Sequence, residues 1–183
     1  MKINWSGRAH DYQKSEIDFL VKIIKKADPL TQGEYLKKFE SDFAKYLGKK
    51  NVFAVSSAAS ALELIAILMN FKKNDEVIIP AHTYCASAIP FARNKAKIVW
   101  SDINLDTRTV NLDDIEDKIT KKTKAIVIVH LYGYAVNFSK LRSICKKRKI
   151  KIIEDCAQAL GAEVNGKKVG KMSVPGMNIE EQY

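Results

Sequence analysis

The chain contains few of the residues that mark specialised classes of protein. Its 183 residues include 3 cysteines, 8 glycines and 4 prolines, so the sequence has neither a collagen-like repeat nor a low-complexity linker. Cys85, Cys145 and Cys156 are an odd number and lack the spacing of a disulfide framework. This usage is typical of a reducing compartment, and we expect a cytoplasmic protein.

Long apolar runs are also missing. The longest, residues 61–71, is interrupted by Glu63 and Asn70 and falls short of the roughly 20 apolar residues that a membrane-spanning helix needs. The N-terminus has no apolar segment of the kind found in secretory signals. We therefore expect no membrane partner and no secretion.

Arginine is scarce in a chain that is otherwise strongly basic. The 31 lysines and arginines outnumber the 21 acids, giving a formal net charge of +10, which suits the phosphates of a nucleic acid. Only five of these basic residues are arginine, the side chain that makes forked contacts with phosphates and bases. The densest basic run, residues 146–149, closes a predicted helix, where cations complement the helix dipole. We therefore predict no nucleic-acid partner.

Short β-branched runs alternate along the chain with segments of helical period. The runs predict strands at residues 51–55, 76–79, 97–100, 125–129 and 151–154. The other segments predict helices at residues 15–26, 35–47, 59–70, 83–93, 112–120 and 138–148. This alternation predicts an α/β fold, a three-layer αβα domain with a mostly parallel sheet. Residues 171–183 have neither period, and we expect a divergent tail without fixed structure.

Ligands of open parallel sheets bind at the carboxyl ends of the strands. After the first predicted strand, a turn of small residues at positions 55–62 leads into a helix whose free N–H groups can hold an anion. An ordinary serine N-cap, with a capping box between Ser60 and Glu63, explains the same pattern. After the second strand, Tyr84 suits stacking on a planar ligand, although a tyrosine at a helix start also commonly joins the core.

The last predicted strand closes with two acids, Glu154 and Asp155. A carboxylate buried at such a position is costly unless it meets a cation, which favours a paired or functional group. Gln158 follows three residues later and can face the same pocket. His82 and Cys85 have a spacing that a metal site could use but lack a second pair of ligands, so we predict no metal. The residues alone predict an α/β protein that binds a small, anionic, planar ligand.

Several stretches, read together, resemble the DegT/StrS family of sugar aminotransferases, which are pyridoxal-phosphate (PLP) enzymes of fold type I. They follow the family's order and spacing from Gly7 to Gly170 and comprise residues 30–35, 39–40, 57–62, 75–80, 83–84, 123–126, 130–133 and 154–159. The resemblance implies that residues 1–170 form an incomplete large domain of such an enzyme, without its small C-terminal domain.

The resemblance also implies a role for each candidate site residue. Asp155 would pair with the pyridine nitrogen of PLP and keep the ring protonated, so that it withdraws electrons. Tyr84 would stack on the ring, and Gln158 would hydrogen-bond its phenolic oxygen. The N–H groups of Ala58 and Ala59 would hold the 5′-phosphate at the helix N-terminus.

The sequence departs from the family pattern at several points. Ala59 stands where a hydroxyl residue is usual, so one phosphate bond is lost unless Ser60 compensates, and Leu160 stands where a histidine is common. Family spacing places the lysine that forms the Schiff base just past Tyr183. The nearby lysines belong to a segment that resembles a surface hairpin: Lys167, Lys168 and Lys171. We therefore expect no catalytic residue here, weak non-covalent PLP binding, and a truncated or frameshifted product in preference to a short pseudoenzyme.

The family's activity is the transfer of an amino group from glutamate to a nucleotide-linked keto-sugar, in a homodimer with a shared active site. Two alternatives stay open. One is a lysine-less PLP sugar dehydratase of the same family, in which a histidine replaces the lysine. The other is a non-catalytic binding or interaction protein. In each case we expect an uncovered sheet edge and helix faces to make the chain self-associate.

Overall fold

A four-stranded sheet forms the centre of the protein. The structure, a computed structural model, describes residues 12–29 and 31–171. Its sheet has the order β2-β1-β3-β4, and all three neighbouring pairs are parallel, which confirms the predicted sheet. The strands are β1 Glu76–Pro80, β2 Lys97–Ser101, β3 Thr123–Val129 and β4 Lys151–Asp155, and a small antiparallel hairpin follows, with β5 Glu163–Val164 and β6 Lys167–Lys168.

Six α-helices are present among the described residues, and four of them cover the sheet. Their bounds are α1 Lys14–Lys26, α2 Glu34–Leu47, α3 Ala58–Met69, α4 Ile89–Arg93, α5 Leu112–Lys118 and α6 Ser139–Arg148. Within residues 12–29 and 31–171, none of the helices combines the length and apolar character that a membrane crossing requires.

The strands bury alternate side chains in two separate cores. On one face, Val77 and Ile79 pack in a cluster with Leu62 of α3 and Phe91 of α4. On the other face, the core cluster joins residues of β1, β3 and β4 to residues of α5 and α6, including Ile78, Ile126, Ile128, Ile152, Ile115 and Leu141. Because successive strand side chains point to opposite faces, this division confirms the three-layer αβα arrangement.

The start of α3 corrects one prediction. Ser57 is the N-cap, and its Oγ accepts a hydrogen bond from the Ser60 N–H at 3.1 Å. The proposed capping box between Ser60 and Glu63 is therefore wrong, because Ser60 is the third residue of the helix and not its cap. The ordinary serine cap is present, one turn earlier than that box requires.

The strand predicted at residues 51–55 is not a strand in the structure. The stretch pairs with no other strand of the described chain, and the Phe53 side chain is 80% exposed. The N–H of Ala54 donates instead to Glu40 Oε1 of α2 at 2.8 Å. The β-branched pattern indicates only a local preference for a strand, which also needs a neighbour with which to form a ladder.

The helix predicted at residues 83–93 is divided. A short 3-10 turn, Cys85–Ser87, is followed by α4, which begins at Ile89. Pro90 explains the break, since proline lacks an N–H and fits an α-helix only in its first turn. The other predicted helix bounds lie within two residues of those observed. Gly7, Leu30 and residues 172–183 of the predicted tail lie outside the described residues.

Glu76, at the start of β1, is an acid held inside the fold. Its residue is 5% exposed, Thr120 Oγ1 donates to its Oε2 at 2.6 Å, and Lys97 Nζ donates to its Oε1 at 3.2 Å. The Thr120 hydrogen bond first, and Lys97 after it, hold the Glu76 pKa below its ordinary value of 4.5, against the opposing effect of burial. A depressed folded pKa adds stability above the unfolded pKa, and that stability is lost as the pH falls through the folded pKa.

We expect Glu76→Gln to lower the free energy of unfolding by about 1–3 kcal/mol at neutral pH, because charge-assisted hydrogen bonds are lost. The difference from the parent chain should shrink below pH 4.5, where Glu76 of the parent also becomes protonated. Thermal unfolding followed across this pH range measures both effects. The matched control is Asp106→Asn, at an exposed acid. A deficit that is constant with pH would contradict the ionic origin of the stabilisation.

Candidate functional site

A cavity of about 250 Å³ lies beyond the carboxyl ends of β1, β3 and β4. The chain passes from β1 to β2 on one side and later adds β3 and β4 on the other, so the cavity lies where the strand order reverses. This is the usual ligand position in an open α/β sheet. All five residues singled out from the sequence line it: Ala58, Ala59, Tyr84, Asp155 and Gln158.

The N-terminus of α3 forms one wall of the cavity. The N–H groups of Ala58 and Ala59 belong to the first helical turn and have no acceptor within the helix. Ser57 lines the cavity beside them. Ser60 does not line it, because its Oγ contacts Ser56 Oγ at 2.9 Å and Ser57 Oγ at 3.0 Å. Of these hydroxyls, that of Ser57 lines the cavity where an anion would meet the helix N-terminus.

Asp155 ends β4 at the opposite wall, and the residue is 8% exposed. Ala157 N–H donates to its Oδ1 at 3.1 Å, and Ser87 Oγ donates to its Oδ2 at 2.7 Å. Within residues 12–29 and 31–171, no lysine, arginine or histidine forms a salt bridge with this carboxylate. A buried carboxylate that has hydrogen bonds but no cation favours a cationic partner supplied by a ligand.

Gln158 and Tyr84 complete the lining. The Gln158 Oε1 accepts a hydrogen bond from the Tyr132 N–H at 2.9 Å, and this contact leaves the amide NH₂ group as the donor toward a ligand. Tyr132 has a φ of 54°, a left-handed conformation that is uncommon for a tyrosine. The Tyr84 residue is 69% exposed, so its ring face is open to a planar group.

Glu154, His130 and Cys156 lie together behind Asp155, with ligand atoms within 4.8 Å of one another. Val136 N–H donates to His130 Nδ1 at 3.0 Å, so the proton of the neutral ring lies on Nε2, which faces Glu154 Oε2 at 3.3 Å. A metal at Nε2 would require the proton on Nδ1, where the Val136 N–H already points. The cluster therefore suits a donor-acceptor pair and not a metal ion.

Four polar residues that line the cavity were not among the five candidates: Ser57, Thr83, Ser87 and His130. Ser87 also contacts Asp155 directly. Ser57 could have been found as the cap of the small-residue turn. Ser87 gave no signal, because its partner is 68 positions away in the chain.

The fold and the cavity place the chain in the α/β class of fold type I PLP enzymes, and comparison with solved structures agrees. One similar structure is an Escherichia coli GDP-4-keto-6-deoxy-D-mannose-3-dehydratase with bound hydrated PLP. The TM-score is 0.85 at 28% identity, and the match covers 94% of this chain and 46% of the other.

The family follows from the sequence match. The model of the DegT/DnrJ/EryC1/StrS aminotransferase family matches residues 11–177, and the chain belongs to this family. A GDP-perosamine synthase of Vibrio cholerae is 40% identical over 140 residues, covering 76% of this chain and 38% of that protein. A GDP-4-keto-6-deoxy-D-mannose 3-dehydratase of Yersinia pseudotuberculosis is 34% identical over 180 residues, covering 95% and 46%. The chain thus spans less than half the length of these relatives.

The cysteines beside the site differ in accessibility. Cys85 is exposed next to Tyr84. Burial first, and the nearby charges of Glu154 and Asp155 second, raise the Cys156 pKa to about 12, and burial raises the Cys145 pKa to about 11. Because the thiolate is the reactive form, the buried Cys145 thiol and the half-buried Cys156 thiol are both poor nucleophiles at neutral pH.

We expect iodoacetamide to alkylate Cys85 well before Cys145 or Cys156 in the folded chain at neutral pH. Peptide mass spectrometry after timed labelling measures the order. Denaturant provides the control, since unfolding should make all three rates similar. Early labelling of Cys156 under native conditions would contradict the burial of the carboxyl end of β4.

Proposed function

We propose that this chain forms the cofactor-binding part of a PLP-dependent sugar aminotransferase. The observation that carries the proposal is the Asp155 carboxylate, which is 8% exposed, lines the cavity and has no cationic partner within the described residues. A protonated pyridine nitrogen is a planar cation that would neutralise this charge. The family membership of the chain supports the same partner.

The other residues of the cavity suit the remaining parts of the cofactor. The free N–H groups of Ala58 and Ala59, with the hydroxyl of Ser57, offer donors for a phosphate at a helix N-terminus. The exposed ring of Tyr84 offers a face for stacking, and the amide NH₂ of Gln158 offers a donor to a ring oxygen. Phosphate, aromatic ring and ring nitrogen therefore each find a group of the right chemistry.

The cofactor supplies an electron-withdrawing ring that stabilises negative charge next to a substrate nitrogen. The residues of this chain bind and orient that ring. Asp155 would hold a proton at the ring nitrogen, and the start of α3 would fix the opposite, phosphorylated end. An acceptor at the ring nitrogen and donors at the phosphate would together prevent the ring from sliding or tilting in the cavity.

The division of the chain and its partners are part of the same proposal. Residues 1–170 would form the N-terminal part of the large domain, followed by a divergent tail at residues 171–183. The cofactor would bind this part weakly and without a covalent bond. The complete enzyme would use glutamate as the amino donor and a nucleotide-linked keto-sugar as the acceptor, in a homodimer, as the family resemblance implies.

A sugar dehydratase is a second candidate, supported by the similarity to two proteins named as GDP-4-keto-6-deoxy-D-mannose 3-dehydratases. Both functions would use the same cavity residues. The residue that follows in the reading frame at the family's lysine position distinguishes them, because a lysine would favour the aminotransferase and a histidine the dehydratase. Sequencing of the gene beyond the codon for Tyr183 provides this observation.

Binding of PLP to the 183-residue chain tests the proposal directly. Charge-assisted hydrogen bonding to Asp155, stacking on Tyr84 and phosphate at a helix N-terminus together provide about 4–6.5 kcal/mol. We therefore expect calorimetry to give a dissociation constant between about 1 mM and some tens of micromolar. Asp155→Asn, which is nearly isosteric, should weaken binding about tenfold or more.

The matched control is Asp102→Asn, an acid that follows directly on β2 and does not line the cavity. This variant should bind PLP as the parent does. Equal affinity of Asp155→Asn and the parent chain would show that Asp155 does not pair with the ring. Binding that depends only on salt concentration would point to the lysine-rich surface and would equally count against the site.

Self-association is expected from the uncovered apolar surface of α1 and α2. Neither helix has a buried residue, and a groove of about 460 Å³ between them is lined by side chains that include Phe19, Tyr35, Phe39 and Phe43. Light scattering should therefore find dimers or larger species, and Phe39→Ser should shift them toward monomer. A monodisperse parent monomer that unfolds cooperatively would contradict this expectation.

A further inference from the structure

Two hydroxyl side chains form a line that ends on Asp155. Thr83 Oγ1 lies 2.8 Å from Ser87 Oγ, which lies 2.7 Å from Asp155 Oδ2. Ser87 is 1% exposed and Thr83 lines the cavity. The line therefore runs from the cavity wall to the carboxylate through a side chain that is shielded from solvent.

The direction of the donors in this line is determined. An ionised carboxylate only accepts hydrogen bonds, so Ser87 uses its single proton on Asp155. The Ser87 oxygen can then only accept from Thr83, whose hydroxyl must be the donor. Aligned hydroxyls polarise one another, and the bond from Ser87 to Asp155 is strengthened by the bond from Thr83.

The line also fixes the plane of the carboxylate. Ser87 donates to Oδ2, while the Ala157 N–H donates to Oδ1 at 3.1 Å. Two donors on different oxygens, one from the loop after β1 and one from the loop after β4, prevent rotation of the group. Since Asp155 lines the cavity, the fixed plane determines which lone pair a ligand meets.

We propose that Ser87 and Thr83 are positioning residues that orient the Asp155 carboxylate toward the ring nitrogen of the cofactor. The inference rests on the proposed function, because it assumes that this carboxylate meets a ring nitrogen. Ser87 acts directly on Asp155, and Thr83 acts only through Ser87. Neither residue needs to touch the cofactor to influence its binding.

Two probes separate positioning from general damage to the site. One is PLP, and the other is its deaza analogue, in which a C–H group replaces the ring nitrogen and leaves the phosphate and the ring face unchanged. The parent chain should bind PLP more tightly than the analogue. Ser87→Ala should weaken PLP binding about tenfold, since it removes a hydrogen bond to a charged group, and should leave the affinity for the analogue unchanged within about twofold.

Variants of Thr83 test the order of the line. Thr83→Val has the same shape without the hydroxyl and should weaken PLP binding by about threefold, whereas Thr83→Ser retains the hydroxyl and should bind as the parent does. The double variant Thr83→Val, Ser87→Ala should be no weaker than Ser87→Ala alone, because Thr83 has no separate route to Asp155.

The matched control for a lost buried serine hydroxyl is Ser101→Ala. Ser101 is also 1% exposed, ends β2, and its Oγ has no hydrogen-bond partner in the part of the chain that the structure describes. This variant should leave the binding of both probes unchanged. Circular dichroism and thermal midpoints of all variants establish that they are folded.

The outcomes distinguish this inference from the function on which it rests. If the parent chain binds PLP and the analogue equally, Asp155 does not pair with a ring nitrogen, and both the site assignment and the inference fail. If the parent discriminates between the probes but Ser87→Ala weakens both equally, only the positioning role is wrong. Additive losses in the double variant would likewise overturn the ordered line and leave the proposed function intact.

Discussion

The candidate site depends on one constraint, which is the burial of the Asp155 carboxylate at the end of β4 without a cation beside it among the described residues. Burial of an ionised group is unfavourable unless each lone pair finds a donor. The fold supplies donors from two directions, the Ala157 N–H and the Ser87 hydroxyl. These satisfy one position on each oxygen, so the remaining capacity of the carboxylate faces a cavity in which a cationic ligand group is favoured.

Much of the fold was predictable from the sequence because its determinants are local. β1 and β3 are buried on both faces, so they appear as continuous apolar runs such as the one ending at Val129. The helices were predicted from the spacing of their apolar residues and from the residues that end them. One example is Gly48, which closes α2 in the left-handed conformation. The five candidate residues were identified for a similar reason. Each lies at the end of a strand, shortly after one or at the start of a helix, and the topology of the sheet is enough to bring these positions together.

The failures share a physical cause, which is that they concern pairs of segments. Residues 51–55 have the local preference of a strand, but a β-ladder requires two neighbouring backbone segments. None of the described strands pairs with this stretch. Ser87 is likewise an ordinary serine until the sheet brings the loop after β1 next to the end of β4. The break at Pro90 and the misplaced capping box at the start of α3 are exceptions, because both depend on local sequence and were readable from it.

The two adjacent acids of β4 show how a strand separates structural from ligand-binding chemistry. Successive side chains point to opposite sides of a strand, so Asp155 reaches the cavity while Glu154 lies behind it. Glu154 Oε2 accepts from the Gly170 N–H at 2.8 Å and from the neutral His130 ring, and thereby ties the end of β3 and the turn after β6 to β4. Both of these groups reach Oε2, and the buried Oε1 has no hydrogen-bond partner among the described residues. Glu154 is thus tied to the protein and does not line the cavity. Asp155 does line the cavity, so a ligand group can add to the donors that Ser87 and Ala157 already provide.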